Sequence, residues 1–155
     1  MQEQISEIPA QPVVPSSPSI KLWSPGFIAA VTFFLGFPAG IALACINWMR
    51  MNLNNKALVH LVAGFVGILV FIVAIVLIPE SGISLFTLAL NLGALLYLRQ
   101  AMRTDQENFK AANNRVENAN GLGGCLIGLG VLVLFMISMF VVGMVLAILG
   151  IPIVE

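Results

Sequence analysis

The stretch FFLGFPAGIALACINW, residues 33–48, places Gly36, Pro38 and Gly40 inside an apolar run. In a soluble helix these residues would act as a stop signal, because proline removes a backbone donor and glycine weakens the helix. A helix in hydrocarbon has no alternative partner for its backbone groups and therefore tolerates both residues. We interpret the stretch as part of a membrane helix that bends near its middle at Pro38.

The composition of the 155-residue chain supports this interpretation. Apolar residues make up 59% of the chain and charged residues only 9%, whereas ordinary soluble domains have about 25% charged residues. A soluble fold could not cover its surface with so few charges, so most of the surface must face lipid. Because seven Lys and Arg balance seven Asp and Glu, no basic field exists to attract nucleic acid. We therefore expect the lipid bilayer as a partner and no nucleic acid.

Four segments approach the length of about 20 apolar residues that a spanning helix needs. They predict an all-α fold, a four-span transmembrane helical bundle that occupies residues 25–151. The spans are expected at about 26–48, 57–78, 83–98 and 124–149, with a cytosolic loop at 99–121. Residues 1–24 hold four prolines and few bulky side chains, so we expect a disordered, Pro-rich N-terminal tail.

The basic residues predict an orientation. With four spans, the loops 49–56 and 99–121 share one side and carry six of the seven Lys and Arg, while Lys21 lies on the other side. Short loops rich in Lys and Arg stay in the cytoplasm. We therefore expect these two loops to be cytoplasmic and both termini to lie outside. Cys45 and Cys125 would then lie near the reducing cytoplasm and remain free thiols.

Small residues recur at helical spacing in the predicted spans. Such residues let neighbouring backbones approach closely, which is how membrane helices pack. The predicted helix-packing residues are Gly36, Pro38, Gly40, Gly64, Gly67, Gly93 and Gly128. At Pro38 two interpretations remain, a static kink that fits the bundle and a functional hinge beside a binding site.

Polar groups are rare within the spans, which contain no Asp, Glu, Lys or Arg. Asn91 is the deepest amide, and we expect it either to form a hydrogen bond across the bundle or to contact a substrate. His60 has no further metal ligand at helical spacing. We therefore predict no catalytic residue, no cofactor and no metal site. The residues that could line a polar path are Thr32, Thr87, Asn91 and Ser138.

The third loop contains an apolar stripe at helical spacing, from Leu98 through Met102 to Phe109, which Asp105 interrupts. The stripe predicts that the third span continues beyond the membrane as an amphipathic helix. Two roles remain open for this segment. It is either a docking helix for a partner or a solvated linker whose arginines bind lipid headgroups.

The stretch SPGFIAAVTFFLGFPAGIALACINWMR resembles the opening of small multi-span bacterial membrane proteins that carry no assigned function. Those proteins show a T-F-x-G-G-P-x-A-G core, followed by an Asn beside an aromatic and a basic residue. Phe37 departs from the pattern, because it stands where the second glycine is expected. The resemblance covers the first span and implies a location in the bacterial inner membrane, but no chemistry. The matching residues are Thr32, Phe33, Gly36, Pro38, Ala39, Gly40, Asn47, Trp48 and Arg50.

Two functions agree with these observations. The first is a non-enzymatic integral membrane protein that acts as an accessory, assembly or scaffold subunit of a membrane complex. The second is a small oligomeric transporter or channel for a neutral solute or small ion. The partner would be another membrane protein in the first case and further copies of this chain in the second. An enzyme is the least favoured class, because no nucleophile, base or metal set is joined by spacing.

Overall fold

The computed structural model describes residues 19–113 and 115–149 of the chain. The elements in this part are β1 (Ile20–Leu22), α1 (Pro25–Leu35), α2 (Phe37–Arg50), α3 (Asn54–Leu77), α4 (Glu80–Ala112), β2 (Val116–Asn118) and α5 (Gly121–Ile148). The predicted all-α class is therefore confirmed, apart from one short parallel pairing of β1 with β2. Residues 1–18 of the predicted tail lie outside the described residues, but residues 20–22 form β1. The folded region therefore begins before residue 25.

The predicted first span, 26–48, is two helices rather than one. Helix α1 begins where Ser24 Oγ accepts the Phe27 N–H at 3.2 Å, and it ends at Leu35. At Gly36 the backbone adopts φ 87° and ψ 163°, a conformation that L-residues with side chains strongly disfavour. Pro38 lies in the first turn of α2, where the missing N–H of proline costs nothing. The Gly36–Pro38 sequence thus ends one helix and starts the next.

Helices α1 and α2 fold back against each other. Near the break, Gly40 lies so close to Thr32 that a Cβ on Gly40 would overlap the threonine side chain. At the far ends, Asn47 of α2 forms hydrogen bonds with the backbone of Trp23, which precedes α1. Both ends of this antiparallel helical hairpin (residues 25–50) therefore lie at the same end of the bundle. The prediction of a continuous first span is wrong.

The helical hairpin is too short to cross a membrane. With 11 and 14 residues, its helices are about 16 and 21 Å long at a rise of about 1.5 Å per residue. A hydrocarbon core is about 30 Å thick. By contrast, α3, the Ser81–Ala112 part of α4 and α5 are each long and apolar enough to cross. The described chain is therefore a helical membrane protein with three candidate spans around a hairpin, and a fourth span is not found in it.

The three long helices pack on the helical hairpin more than on one another. Gly64 of α3 fits against Ile41, and Gly128 of α5 fits against Leu35 and Val31. The backbones of α3 and α4 approach each other at few positions. The buried core lies around Trp48, at the end of the bundle where the hairpin opens. The outer halves of the long helices contribute little to this core, and the most apolar stretch of α5 contains no buried residue.

All seven Lys and Arg of the chain lie at this same end of the bundle, which we call the basic end. Arg50 at the end of α2 donates to the Lys21 carbonyl oxygen at 2.9 Å. The prediction that Lys21 lies opposite the two basic loops is therefore wrong, because the hairpin returns the chain to the side on which it started. Helix α5 begins at the basic end and finishes at the opposite end. The seven residues are Lys21, Arg50, Lys56, Arg99, Arg103, Lys110 and Arg115.

The predicted third span, 83–98, is the middle of a longer helix. Helix α4 has 33 residues and continues through Ala112, so residues 99–112 of the predicted loop are helical. The chain then passes through β2 before α5 begins at Gly121. Leu98, the last residue of the predicted span, and Met102 on this extension are buried in the core. The continuation of α4 that the apolar stripe predicted is therefore present, and it packs against the helical hairpin.

Candidate functional site

The most constrained polar group in the structure surrounds Trp23 at the mouth of the hairpin. Asn47 Oδ1 accepts the Trp23 N–H at 3.2 Å, and Asn47 Nδ2 donates to the Trp23 carbonyl oxygen at 2.8 Å. Gln106 Nε2 donates to the same carbonyl at 2.7 Å, and the Trp23 indole donates to the Asn120 carbonyl at 2.9 Å. We call Trp23, Asn47, Gln106 and Asn120 the polar clasp. It joins the strand segment, α2, α4 and the start of α5.

The two side-chain amides that bind the Trp23 backbone are buried. Asn47 is 0% exposed and Gln106 is 3% exposed, and a buried amide is costly unless its hydrogen bonds are made. Within the described residues, no buried side-chain nitrogen or oxygen atom lacks a hydrogen-bond partner. The clasp groups are therefore committed to holding the hairpin closed.

An ion-pair cluster lies beside the clasp and joins α2, α3 and α4. Asp105 accepts hydrogen bonds from Trp48 Nε1 at 2.6 Å and from Lys56 Nζ at 2.8 Å. The Asp105 side chain is 12% exposed and that of Lys56 is 42% exposed. Asp105 interrupts the apolar stripe of the sequence, yet it faces the same interior as Met102. A single acidic residue within an apolar helical stripe indicates that a hydrogen-bond donor faces it in the interior, because a buried carboxylate needs a partner.

His60 continues this cluster toward the membrane. Its Nδ1 lies 2.7 Å from the Lys56 carbonyl oxygen and its Nε2 lies 2.7 Å from the Tyr97 hydroxyl. Because a carbonyl can only accept, Nδ1 carries a proton. The imidazole also packs on the Trp48 ring at 4.2 Å. Among the described residues, no group of three or more His, Cys, Asp or Glu could hold a metal ion.

The tip of the helical hairpin is completed by a residue from α4. Helix α2 starts with Gly36 as its N-cap, and this residue offers no side-chain hydrogen bond. Asn91 Oδ1 instead accepts the Phe37 N–H at 2.9 Å. Asn91 therefore satisfies one of the free backbone donors that begin every helix. In this position its oxygen holds the hairpin tip.

Four phenylalanines close the space beyond the tip. The Phe71 ring of α3 lies 6.5 Å from Phe37, 6.3 Å from Phe86 and 6.0 Å from Phe135. We call these four rings the aromatic floor. Each ring comes from a different helix, α2, α3, α4 or α5, and such ring pairs stabilise packing beyond simple burial. The long helices meet mainly through this floor and the hairpin above it.

The structure does not join the four candidate path residues into one polar surface. Thr32, Thr87 and Ser138 each donate to the carbonyl four residues earlier in their own helix, at 2.8 Å. Of the four, Asn91 forms its hydrogen bond with another helix. Thr32 is buried between α1 and α2, whereas Ser138 is exposed on α5. Their hydroxyl groups are satisfied locally.

The predicted packing glycines divide into those with neighbours and those without. Gly40, Gly64, Gly67 and Gly128 are in close contact with other helices, whereas a Cβ added at Gly93 would meet nothing within 4 Å. Gly124, four residues before Gly128, is a further packing glycine. A Cβ at Gly124 would collide with the Phe27 ring and the Trp23 indole, so the start of α5 needs a glycine there.

Two apolar grooves flank α2 and open sideways. One, of about 350 Å³, lies between α3 and α4 and extends from His60 and Tyr97 to Phe37. The other, of about 560 Å³, lies between α3 and α5 and includes Cys45. Cys45 is buried and donates to the Ala57 carbonyl at 3.3 Å, whereas Cys125 is exposed. Both thiols are free, as the sequence predicted.

Comparisons with known protein families, curated proteins and solved structures found no match for this chain. The resemblance to small bacterial membrane proteins therefore stays a prediction.

Proposed function

We propose that this chain is a non-enzymatic integral membrane protein of the bacterial inner membrane and acts as an accessory, assembly or scaffold subunit of a membrane complex. One observation supports this proposal most. Each buried side-chain nitrogen or oxygen atom of the described residues has a hydrogen-bond partner, while the apolar faces of the long helices are left uncovered by the chain itself. Lipid or other membrane helices must cover those faces, since water cannot.

The proposed orientation has the basic end in the cytoplasm. Lys and Arg flanking the spans in short segments determine membrane orientation, and all seven lie at that end. The start of the hairpin and the start of α5 are then cytoplasmic, and the end of α5 near Ile148 faces outward. This arrangement replaces the expectation that both termini lie outside.

Reciprocal purification tests the accessory function. The tagged chain is extracted from bacterial membranes in a mild detergent, and its co-eluting proteins are identified by mass spectrometry. Each is then tagged in turn and purified from a strain with and without the gene for this chain. We expect one membrane complex to contain this chain in both directions and to lose subunits in the deletion strain. Elution of the chain without other proteins, together with unchanged complexes in that strain, would contradict the proposal.

The hairpin break favours a second candidate, a small oligomeric transporter or channel. Helices that break at membrane depth often supply binding sites through their free ends, and Asn91 already contacts the first N–H of α2. The aromatic floor argues against a continuous path, because four rings occupy the space beyond that point. Flux of small ions and neutral solutes into liposomes decides between the two. Flux that disappears in Asn91→Leu would support a transporter, and its absence in wild-type liposomes would exclude one.

A further inference from the structure

A polar pocket of about 330 Å³ lies at the basic end, on the outer side of the helical hairpin. Pro25 and Gly26 at the start of α1 form one wall. One face of α4, from Arg99 to Lys110, forms the other. This pocket adjoins the polar clasp, because Gln106 belongs to both. We call it the basic pocket.

The basic pocket has an excess of positive charge. Arg99, Arg103 and Lys110 line it together with a single carboxylate, Glu107. Arg103 and Glu107 form an exposed pair at 2.8 Å, which is worth little in water. The side chains of Arg99 and Lys110 have no ion-pair or hydrogen-bond partner in the described part of the chain. Two uncompensated cations therefore face one concave site.

The position of the basic pocket matches the level of lipid headgroups. The apolar part of α4 ends at Leu98, and Arg99 is the first charged residue after it. Tyr97 is 57% exposed just before this boundary, and exposed aromatic side chains at such boundaries lie among headgroups. The start of α1 also directs the positive end of its helix dipole to this site, which favours an anion.

The exposed face of α4 changes from apolar to basic along a single helical stripe. Leu92 and Leu96 are 40% and 62% exposed, and they precede Arg99 by seven and three residues. Residues at these spacings share one face of a helix. An anionic phospholipid has the same order of groups, with a phosphate above and acyl chains below. We propose that the basic pocket binds the phosphate of one anionic phospholipid, with its acyl chain along Leu96 and Leu92.

In this site Arg99 is the principal phosphate ligand, because Lys110 lies eleven residues farther along α4, about 16 Å away at a rise of about 1.5 Å per residue. Arg99 can donate two parallel hydrogen bonds to phosphate oxygens, while Lys110 contributes a point charge. Basic pockets between helices on the cytoplasmic side of membranes select anionic headgroups in this way. The proposal requires the membrane location and does not depend on whether the chain is an accessory subunit.

Native mass spectrometry of the full chain in mild detergent tests the site. The delipidated protein is titrated with phosphatidylglycerol and with phosphatidylcholine of the same acyl chains. We expect preferential binding of one phosphatidylglycerol. Arg99→Gln should weaken this binding about fivefold, the effect expected for one cation near an anionic lipid. Lys110→Gln should weaken it by a smaller factor, because its charge lies more than a Debye length of about 10 Å from Arg99.

Lys21→Gln is the matched control. Lys21 is an exposed cation at the same end of the bundle but outside the basic pocket, so its loss should change the affinity less than about twofold by the same reasoning. Circular dichroism of each variant verifies that the helices are intact. Equal weakening in all three variants, or equal affinity for the two lipids, would overturn the proposal. Full displacement of the lipid by millimolar inorganic phosphate would overturn it too, and would assign the pocket to free phosphate instead.

Discussion

The side-chain amide of Asn47 pairs with both the N–H and the carbonyl of Trp23, at 3.2 and 2.8 Å, across 24 residues of chain. This pairing imitates the reciprocal hydrogen bonds of two strands. It lies in a region without exposure to water, so neither partner has an alternative. The start of α1 and the end of α2 are thereby held side by side.

The first prediction concerns this pair. Asn47→Ala removes two hydrogen bonds and leaves the buried Trp23 N–H without a partner, so we expect the free energy of unfolding to fall by about 2–4 kcal/mol. Gln106→Ala is the comparison, because the Trp23 carbonyl still accepts from Asn47, and it should cost about 1 kcal/mol. Thermal unfolding in detergent, followed by circular dichroism, measures both. An equal or larger effect of Gln106→Ala would contradict the importance of the reciprocal pair.

The second prediction concerns the hairpin tip. Gly36→Ala forces a side chain into φ 87°, although the added Cβ would meet little more than Pro38 at 3.6 Å. The expected loss of about 1–3 kcal/mol therefore comes from backbone strain. Gly93→Ala is the matched control, since this helical glycine has open space around it, and alanine should leave stability unchanged or raise it by up to about 1 kcal/mol. Similar stability of the two variants would argue against the break at Gly36.

The third prediction concerns orientation. Single cysteines are introduced at Lys21, Ser81 and Asn108 in a Cys45→Ala, Cys125→Ala background, and intact cells are treated with a membrane-impermeant maleimide. Ser81→Cys should be labelled in intact cells, whereas Lys21→Cys and Asn108→Cys should require permeabilised cells. The reason is that the hairpin keeps residue 21 at the basic end. Labelling of Lys21→Cys together with Ser81→Cys would restore the four-span arrangement.

The fourth prediction concerns the ion-pair cluster. Lys56→Met leaves the largely buried Asp105 carboxylate with one donor, Trp48, so we expect it to destabilise the protein by about 1–3 kcal/mol. The double variant Lys56→Met, Asp105→Asn should recover part of this loss, because no charge is then left unpaired. A double-mutant cycle in detergent measures the coupling. A coupling energy near zero would mean that the pair is screened like an exposed one.

The helical class and the positions of three long helices could be predicted from the sequence, because apolar runs of the right length are strong signals. The break at Gly36 could not. The uncharged run of residues 26–48 has the length of a span, and only contacts between distant residues, such as Asn47 with Trp23, distinguish a hairpin from a kinked helix. The distribution of the basic residues along the sequence does favour the hairpin. A hairpin places Lys21 with the other six basic residues, which agrees better with the orientation rule than the four-span arrangement does.

The hydrogen-bond partners of the polar side chains inside the bundle are harder to predict from the sequence than the helices. The sequence indicates that Asn91 is a buried amide, but its acceptor role at Phe37 depends on the hairpin tip, which no local pattern predicts. Asp105 and Gln106 belong to the segment predicted as a cytosolic loop with an amphipathic helix, on which polar side chains are expected to face water. Their burial follows from the extension of α4 along the hairpin mouth, where Trp23 and Trp48 supply donors and acceptors.

The order of synthesis determines when the helical hairpin can complete its hydrogen bonds. Asn91, Asp105 and Gln106 all belong to α4, so the ribosome has produced both arms of the hairpin and all of α3 before any of these partners emerges. Until then the hairpin tip and the Trp48 indole lack the groups that satisfy them. The helical hairpin therefore completes its folding only after α4 has been synthesised. A nascent chain stalled before α4 would expose the backbone N–H of the hairpin tip, a polar group that lipid cannot satisfy.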